Sequence, residues 1–314
     1  MRLNRGRIIP VAAVLVTLAL AGCPTPATYG PTITPIYAAT NAGLEIYNGT
    51  NWTKVTAGLA SSNVTCVVVS GSGADAAIFA GTPAGLSYSR TNGSTWTTWH
   101  AADGLGSNTI NGLFLAGSNL YAATTGGLSV YNSDGSSPLW TNGGAAVVNG
   151  VYIFGSYTYT AEATGLRVVN GTGVEAIYTP AQIVTGSSAV NAVNVDYYQD
   201  ILAATNNGLN VLYAGTSTFQ TTPLLTGMAV NGIFLDNNGN LYAATANGLY
   251  SIGSSATQIL AGAVFCVYVD GAGTIYAGTN TGLETSTNHG STWTTITWGA
   301  KVNAIVTTAP LYSF

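Results

Sequence analysis

The nine residues Leu241-Tyr242-Ala243-Ala244-Thr245-Ala246-Asn247-Gly248-Leu249 decide the fold, because the same element returns along the whole chain. It occurs as Tyr37-Ala38-Ala39-Thr40 before Gly43-Leu44, Phe79-Ala80-Gly81-Thr82 before Gly85-Leu86, and Tyr121-Ala122-Ala123-Thr124 before Gly127-Leu128. A divergent copy, Tyr159-Thr160-Ala161-Glu162, precedes Gly165-Leu166; Leu202-Ala203-Ala204-Thr205 precedes Gly208-Leu209, and Tyr276-Ala277-Gly278-Thr279 precedes Gly282-Leu283. The Gly-Leu pairs follow one another at intervals of 42, 42, 38, 43, 40 and 34 residues. Seven units of this period predict an all-β chain folded as a single seven-bladed β-propeller of four-stranded antiparallel blades.

Working outward from the element, each unit divides into four short strands. An apolar strand precedes it, as in Val230-Asn231-Gly232-Ile233-Phe234-Leu235, and the intervening turn, Asp236-Asn237-Asn238-Gly239-Asn240, suits a tight hairpin. The third residue of this first strand is always small: Cys66, Gly112, Gly150, Ala192, Gly232, Cys266 or Ala304. Small residues belong near an axis where seven strands converge, and the tryptophans Trp52, Trp96, Trp140 and Trp293 belong where the blades diverge. The first unit begins at its second strand, whereas Val302-Asn303-Ala304-Ile305-Val306 is a surplus first strand after the seventh. We expect that strand to sit innermost in the blade of residues 35–56, removing two sheet edges by closing the ring.

Composition agrees with a turn-rich β body. Of 314 residues 40 are glycine and only 6% are charged, too few to solvate long surface helices. Eighteen Tyr, 7 Phe and 6 Trp argue against disorder. Beyond residue 22 the chain holds four basic residues, Lys54, Arg90, Arg167 and Lys301, against 11 acidic ones, a net of −7. That excludes nucleic acid as a partner, since binding it needs a cationic footprint.

Residues 1–22 read as an export signal: a basic start, the apolar run Ile8–Leu20, then small residues. The run is too short for a comfortable transmembrane helix. Leu20-Ala21-Gly22-Cys23 resembles the lipobox of bacterial lipoproteins. That resemblance implies a lipidated Cys23 as the mature first residue, carrying acyl chains into a membrane on the extracytoplasmic side, periplasmic or at the cell surface. Residues 23–33, rich in Pro and Thr, would be the tether, and 34–314 the propeller.

The run Gly93-Ser94-Thr95-Trp96-Thr97-Thr98-Trp99 through Asp103-Gly104-Leu105-Gly106, with Leu120-Tyr121-Ala122-Ala123-Thr124 and Gly127-Leu128, resembles the propeller repeats of two-component regulator sensors. In those proteins the propeller is a sensory or binding module. Ser286-Thr287-Asn288-His289-Gly290-Ser291-Thr292-Trp293 and Ser89-Arg90-Thr91-Asn92-Gly93-Ser94-Thr95-Trp96 are similar to the Asp-box turn of sialidase-like propellers, with Asn288 and Thr91 in place of the aspartate. The resemblance implies a structural hairpin there. A sialidase would also need three arginines to grip its substrate, and only Arg90 and Arg167 follow the leader.

Few residues carry chemistry. His100 and His289 are far apart and no Cys-x-x-Cys occurs, so no zinc site is expected. Asp75, Asp196, Asp200, Asp236 and Asp270 fall in first-hairpin turns, where Asx capping accounts for them. Those in matching repeats lie one blade apart, too dispersed for the six to eight oxygens of a calcium site. Cys66 and Cys266 read as free buried thiols. Glu162 replaces the threonine of the other six elements, so it is the candidate ligand-facing carboxylate at the mouth of the axial channel, with Tyr157 and Tyr159 as stacking surface. Neither a cofactor nor a metal is implied. The expected function is a membrane-anchored binding or scaffold module for an envelope protein or glycan. The alternative is a carbohydrate-active hydrolase or lyase acting at the channel mouth.

Overall fold

Strands built from the Tyr-Ala-Ala-Thr elements form the second layer of each sheet in a computed structural model that describes residues 34–71, 76–131, 140–144, 146–171 and 173–308. The leader, Cys23, the tether, Asp75 and Asp134 lie outside the described residues.

Blade 1 runs outward from the closing strand Val302–Thr307 through Ile36–Thr40 and Gly43–Tyr47 to Trp52–Val55. Blade 2 comprises Cys66–Ser70, Ala77–Thr82, Gly85–Ser89 and Thr97–Trp99, and blade 3 Ile110–Ala116, Asn119–Thr124, Gly127–Tyr131 and Trp140–Gly143. Blade 4 comprises Val148–Phe154, Tyr157–Glu162, Gly165–Asn170 and Gly173–Tyr178. Blade 6 is Val230–Leu235, Leu241–Thr245, Gly248–Ile252 and Ala256–Ala261, and blade 7 Val264–Val269, Ile275–Thr279, Gly282–Ser286 and Thr294–Thr297. Every ladder is antiparallel.

Blade 5 departs from the expected four strands, having only Val190–Val195, Ile201–Thr205 and Gly208–Leu212. Irregular chain covers its outer edge. Leu209 and Leu224 exchange backbone hydrogen bonds of 2.8 and 2.7 Å, and Gln220 N donates to Val211 O at 3.1 Å. A ladder continuing from Leu209 and Leu224 would pair Val211 with Thr222; Gln220 takes that place instead, so the bridge stays isolated.

The ring closes as expected. Val302–Thr307 pairs with Ile36–Thr40, Ile36 facing Thr307 and Ala39 facing Ala304. Asn303 Nδ2 donates to Val64 O at 2.7 Å, and the Tyr268 and Thr307 hydroxyls lie 2.8 Å apart, so the strand is tied to both flanking blades.

Packing lies between blades. Leu44, Leu86, Leu166, Leu209, Leu249 and Leu283, from the Gly-Leu pairs, are fully buried, as are Ile110, Val190, Val230, Val264 and Val302 at the start of the inner strands and Val64 just ahead of its own. Each threonine ending a second strand donates to the carbonyl of the following glycine: Thr40 to Gly43 at 2.7 Å, Thr205 to Gly208 at 2.9 Å, and likewise elsewhere. Gly43 has φ 137°, and a Cβ there would come within 2.8 Å of Val55 O, so a side chain would both strain the turn and strike the next strand.

The tryptophans fill the outer gaps, with one shift. Trp52 and Trp140 begin fourth strands, whereas Trp96 and Trp293 stand just before theirs. Each donates its indole N–H into its own turn, Trp96 to Gly93 O at 3.0 Å and Trp293 to Gly290 O at 3.1 Å. The two turns are built alike. Ser89 Oγ accepts from Gly93 N at 3.0 Å and Ser286 Oγ from Gly290 N at 2.9 Å, while Thr91 and Asn288 accept from Thr95 N and Thr292 N.

Candidate functional site

The expected trio does not assemble. Glu162 and Tyr157 occupy opposite ends of one strand, five residues and therefore roughly 17 Å apart. Glu162 is 5% exposed; its Oε1 accepts from Arg167 Nε at 3.0 Å and from Thr160 Oγ1 at 3.0 Å. A carboxylate has no proton for Gly165 O, so blade 4 replaces the threonine clasp with an internal ion pair. Glu162 is thus buried in a pair inside blade 4. Tyr159 is buried between blades 4 and 5 against Val193 and Ile201. Tyr157 is half-buried beside it, their ring centroids 6.3 Å apart.

Two concave sites lie on opposite faces of the disc, one at each end of the inner strands. The larger, on the face of the first-hairpin turns, is a groove of 670 Å³ spanning blades 4 to 6 over the three-stranded blade. Tyr152 and Phe154 form one wall, the Asp236–Gly239 turn the other, and the Asp196–Asp200 turn the lip. Tyr197 and Tyr198, at the tip of that turn, are 72% and 65% exposed, their rings 5.8 Å apart and nearly perpendicular.

The turn is held by its aspartate. Asp196 Oδ1 accepts from Tyr198 N at 2.9 Å and Asp200 N at 2.8 Å, and Gln199 takes φ 67°. Asp236 does the same for Asn238 and Asn240, and Asp270 for Ala272 and Thr274, so the Asx capping expected at these three is present. Asp200 instead reaches Ala214 N at 2.8 Å. Burial, followed by repulsion from Asp200 and opposed by the turn's N–H groups, raises Asp196 above the usual carboxylate range. Burial, then the charge of Asp196, raises Tyr152 in turn. Among the described residues no three His, Cys, Asp or Glu side chains are grouped to hold a metal ion.

The second site is the axial mouth on the opposite face, a dish of 380 Å³. Its lining is Lys301 and one residue per blade, the one just before the small residue near the start of each inner strand, which the sequence reading passed over in favour of that small residue. Five of these are asparagine. In blades 3 to 7 and at the closure the ladder is bulged here; Val230 pairs with Thr245 and Gly232 with Ala244, leaving Asn231 as the extra residue aimed at the axis. Asn111 Nδ2 donates to Val148 O at 2.8 Å, Asn149 to Val190 O at 2.7 Å, Asn191 to Val230 O and Asn231 to Val264 O at 2.9 Å. With Asn303 to Val64 O and Thr65 Oγ1 to Ile110 O at 2.6 Å, each blade is stapled to the next in one rotational sense. Phe265 interrupts the series, and there Cys266 Sγ reaches Val302 O at 3.8 Å. The ammonium of Lys301 rests over the Phe265 ring, 4.0 Å from its centroid. The signal that could have found this ring was the sevenfold recurrence of Val-Asn-Gly or its variants.

No protein-family model matches the chain, and no curated protein matches it in sequence. Solved structures share its fold. The extracellular domain of a one-component system from B. thetaiotaomicron is similar at a TM-score of 0.62 and 19% identity, over 74% of this chain and 33% of that one. PorZ, described as a bacterial surface component of the type-IX secretion system of Porphyromonas gingivalis, gives 0.59 and 16% over 75% of this chain and 41% of its own. The WD40 propeller domain of Doa1 gives 0.61 and 10% over 78% and 86%. The chain thus spans well under half the length of the first two, and the likeness at these identities is one of fold.

Proposed function

We propose that the protein is an extracytoplasmic binding or scaffold module whose partner, an envelope protein or glycan, docks on the groove over blade 5. One observation carries this reading: adjacent tyrosines, 72% and 65% exposed, stand on the lip of a groove lined by carboxylates and amides. Exposed rings beside hydrogen-bonding groups suit stacking on sugar rings or anchoring a protein surface. Two of the proteins with a similar fold, an extracellular domain and a bacterial surface component, act outside the cytoplasm, in keeping with this placement. Acylation of Cys23 would hold the disc at a membrane, with residues 24–33 as spacer.

The enzymatic alternative finds less support. The axial mouth, where it was expected, is lined by Thr65, Phe265, Lys301 and asparagines, none of them a carboxylate for acid–base work. The groove aspartates are engaged in holding turns.

The test is quantitative capture from gently solubilised native membranes, together with a panel of envelope glycans, using wild type and the Tyr197→Ala/Tyr198→Ala variant. A partner retained by the wild type and lost by a variant with unchanged melting supports the groove. Equal retention by both would overturn it.

A further inference from the structure

We propose that the axial mouth is a second binding site, independent of the groove, and that its ligand is a polyhydroxylated monocarboxylate of the uronic-acid class. The argument begins with the amides. Each asparagine faces a backbone carbonyl, which can only accept, so its nitrogen must point there and its Oδ1 must point elsewhere. No described residue donates to any of the five Oδ1 atoms. The staples therefore fix a ring of acceptors whose orientation costs nothing further when a ligand arrives.

The second observation is Lys301. It lies between Asn231 and Asn303 around the ring, beside Phe265, and no described carboxylate lies within ion-pairing distance of its Nζ. The aromatic face positions the ammonium electrostatically and leaves its three N–H donors unused. Four consecutive blades then present acceptors, from Asn111 to Asn231, and one sector presents a cation.

This pattern selects against simpler ligands. A metal cation would suit the amide oxygens but meet the Lys301 charge. An inorganic anion would suit Lys301 but face acceptors on every other side. A neutral sugar would satisfy the acceptors and leave the ammonium without a counter-charge. One carboxylate with several hydroxyl donors satisfies both sectors, the charge-assisted bond to Lys301 fixing orientation and the hydroxyls spanning the asparagine arc. The dish falls within the usual range of small-molecule sites, about 300–1,000 Å³.

The probes are D-glucuronate, D-glucose and acetate, titrated by ligand-observed NMR and calorimetry against the propeller. We expect glucuronate to bind more tightly than either of the others. Lys301→Met should weaken glucuronate about tenfold, the loss of one charge-assisted hydrogen bond, and leave glucose unchanged. Lys301→Arg should retain binding, and Tyr197→Ala/Tyr198→Ala, on the other face, should have no effect. Lys301 is half-buried at the mouth, and the melting temperature checks that its variants fold. Absence of glucuronate binding at millimolar concentration, equal affinity for glucose, or an unaffected Lys301→Met variant would each overturn the proposal. Loss of binding in the double tyrosine variant alone would assign the sugar acid to the groove instead.

Discussion

Cys66 stands directly opposite Gly81 in blade 2, as Cys266 stands opposite Gly278 in blade 7. In both places the glycine leaves the room that the thiol fills, for a Cβ on Gly81 would collide with Cys66 Sγ and one on Gly278 with Cys266 Sγ. Elsewhere the same pair is glycine or alanine against alanine: Gly112 faces Ala123, Gly150 Ala161 and Gly232 Ala244. Beside the axis each pair is held to a small side-chain volume while its division between the strands changes.

Gly81→Ala should therefore destabilise the propeller by about 1–3 kcal/mol, the usual penalty of overpacking. Cys66→Ala in the same chain should recover part of the loss; Ile110 also crowds the new methyl, so recovery is incomplete. Denaturant melts of the four proteins measure the coupling, and strictly additive effects would contradict the account.

Removing the internal ion pair one partner at a time should hurt more than replacing it. Arg167→Met leaves Glu162 buried without its cation and should cost about 1–3 kcal/mol, less than a fully buried pair because Arg167 is one-third exposed. Glu162→Thr in that background restores the clasp to Gly165 O found in the other blades, and should regain most of the stability. Thermal melts of the single and double variants decide it.

The thiols give an alkaline limit. Burial pushes Cys66 and Cys266 up from 9.0 to about 12, and burial followed by the charge of Asp270 pushes Tyr276 up as well. The unfolded chain then releases these protons at lower pH than the folded one, so it is favoured as pH rises. Stability should be independent of the thiols below about pH 9 and fall above it, on the order of 1 kcal/mol per pH unit for each thiol until the folded state also ionises. Denaturation midpoints between pH 7 and 11 should follow this curve, and thiol reagents at pH 8 should leave the buried Cys66 unmodified until the protein unfolds, reaching the partly buried Cys266 first.

Deleting residues 302–314 removes the inner strand of blade 1 and the Asn303 and Thr307 contacts with blades 2 and 7. Calorimetry should show the single cooperative transition replaced by a broad, lower one. A transition unchanged in temperature and sharpness would contradict closure by this strand.

The ring, its closure and the second strands were legible because each rests on a periodic residue with one physical reason: small beside the axis, leucine between sheets, glycine at positive φ. The missing fourth strand of blade 5 carried no such marker: 213–225 is long enough for a strand, but it meets Gly208–Leu212 only through Leu224 and Gln220, out of strand register. The ion pair of Glu162 was hidden from the sequence because its partner sits across a ladder. Thr160 pairs with Arg167, which brings the guanidinium diagonally over Glu162. A signal was present, since the one unit with an acid in place of threonine also has the one cation two residues after the Gly-Leu glycine. The groove left no such trace; it depends on three turns converging, and Tyr197 and Tyr198 recur in no other repeat.

Ile36 and Thr307 face one another across a single ladder, so the chain leaves the disc beside the point where it returns. The order in which the blades are written is therefore incidental to the object they build. Joining the two ends by a short peptide and cutting the chain at another interblade connection would give a circular permutant with the same seven sheets, the same stapled axis and a different first residue. Anything fused ahead of blade 1 would then have an attachment point that a permuted chain could move around the rim.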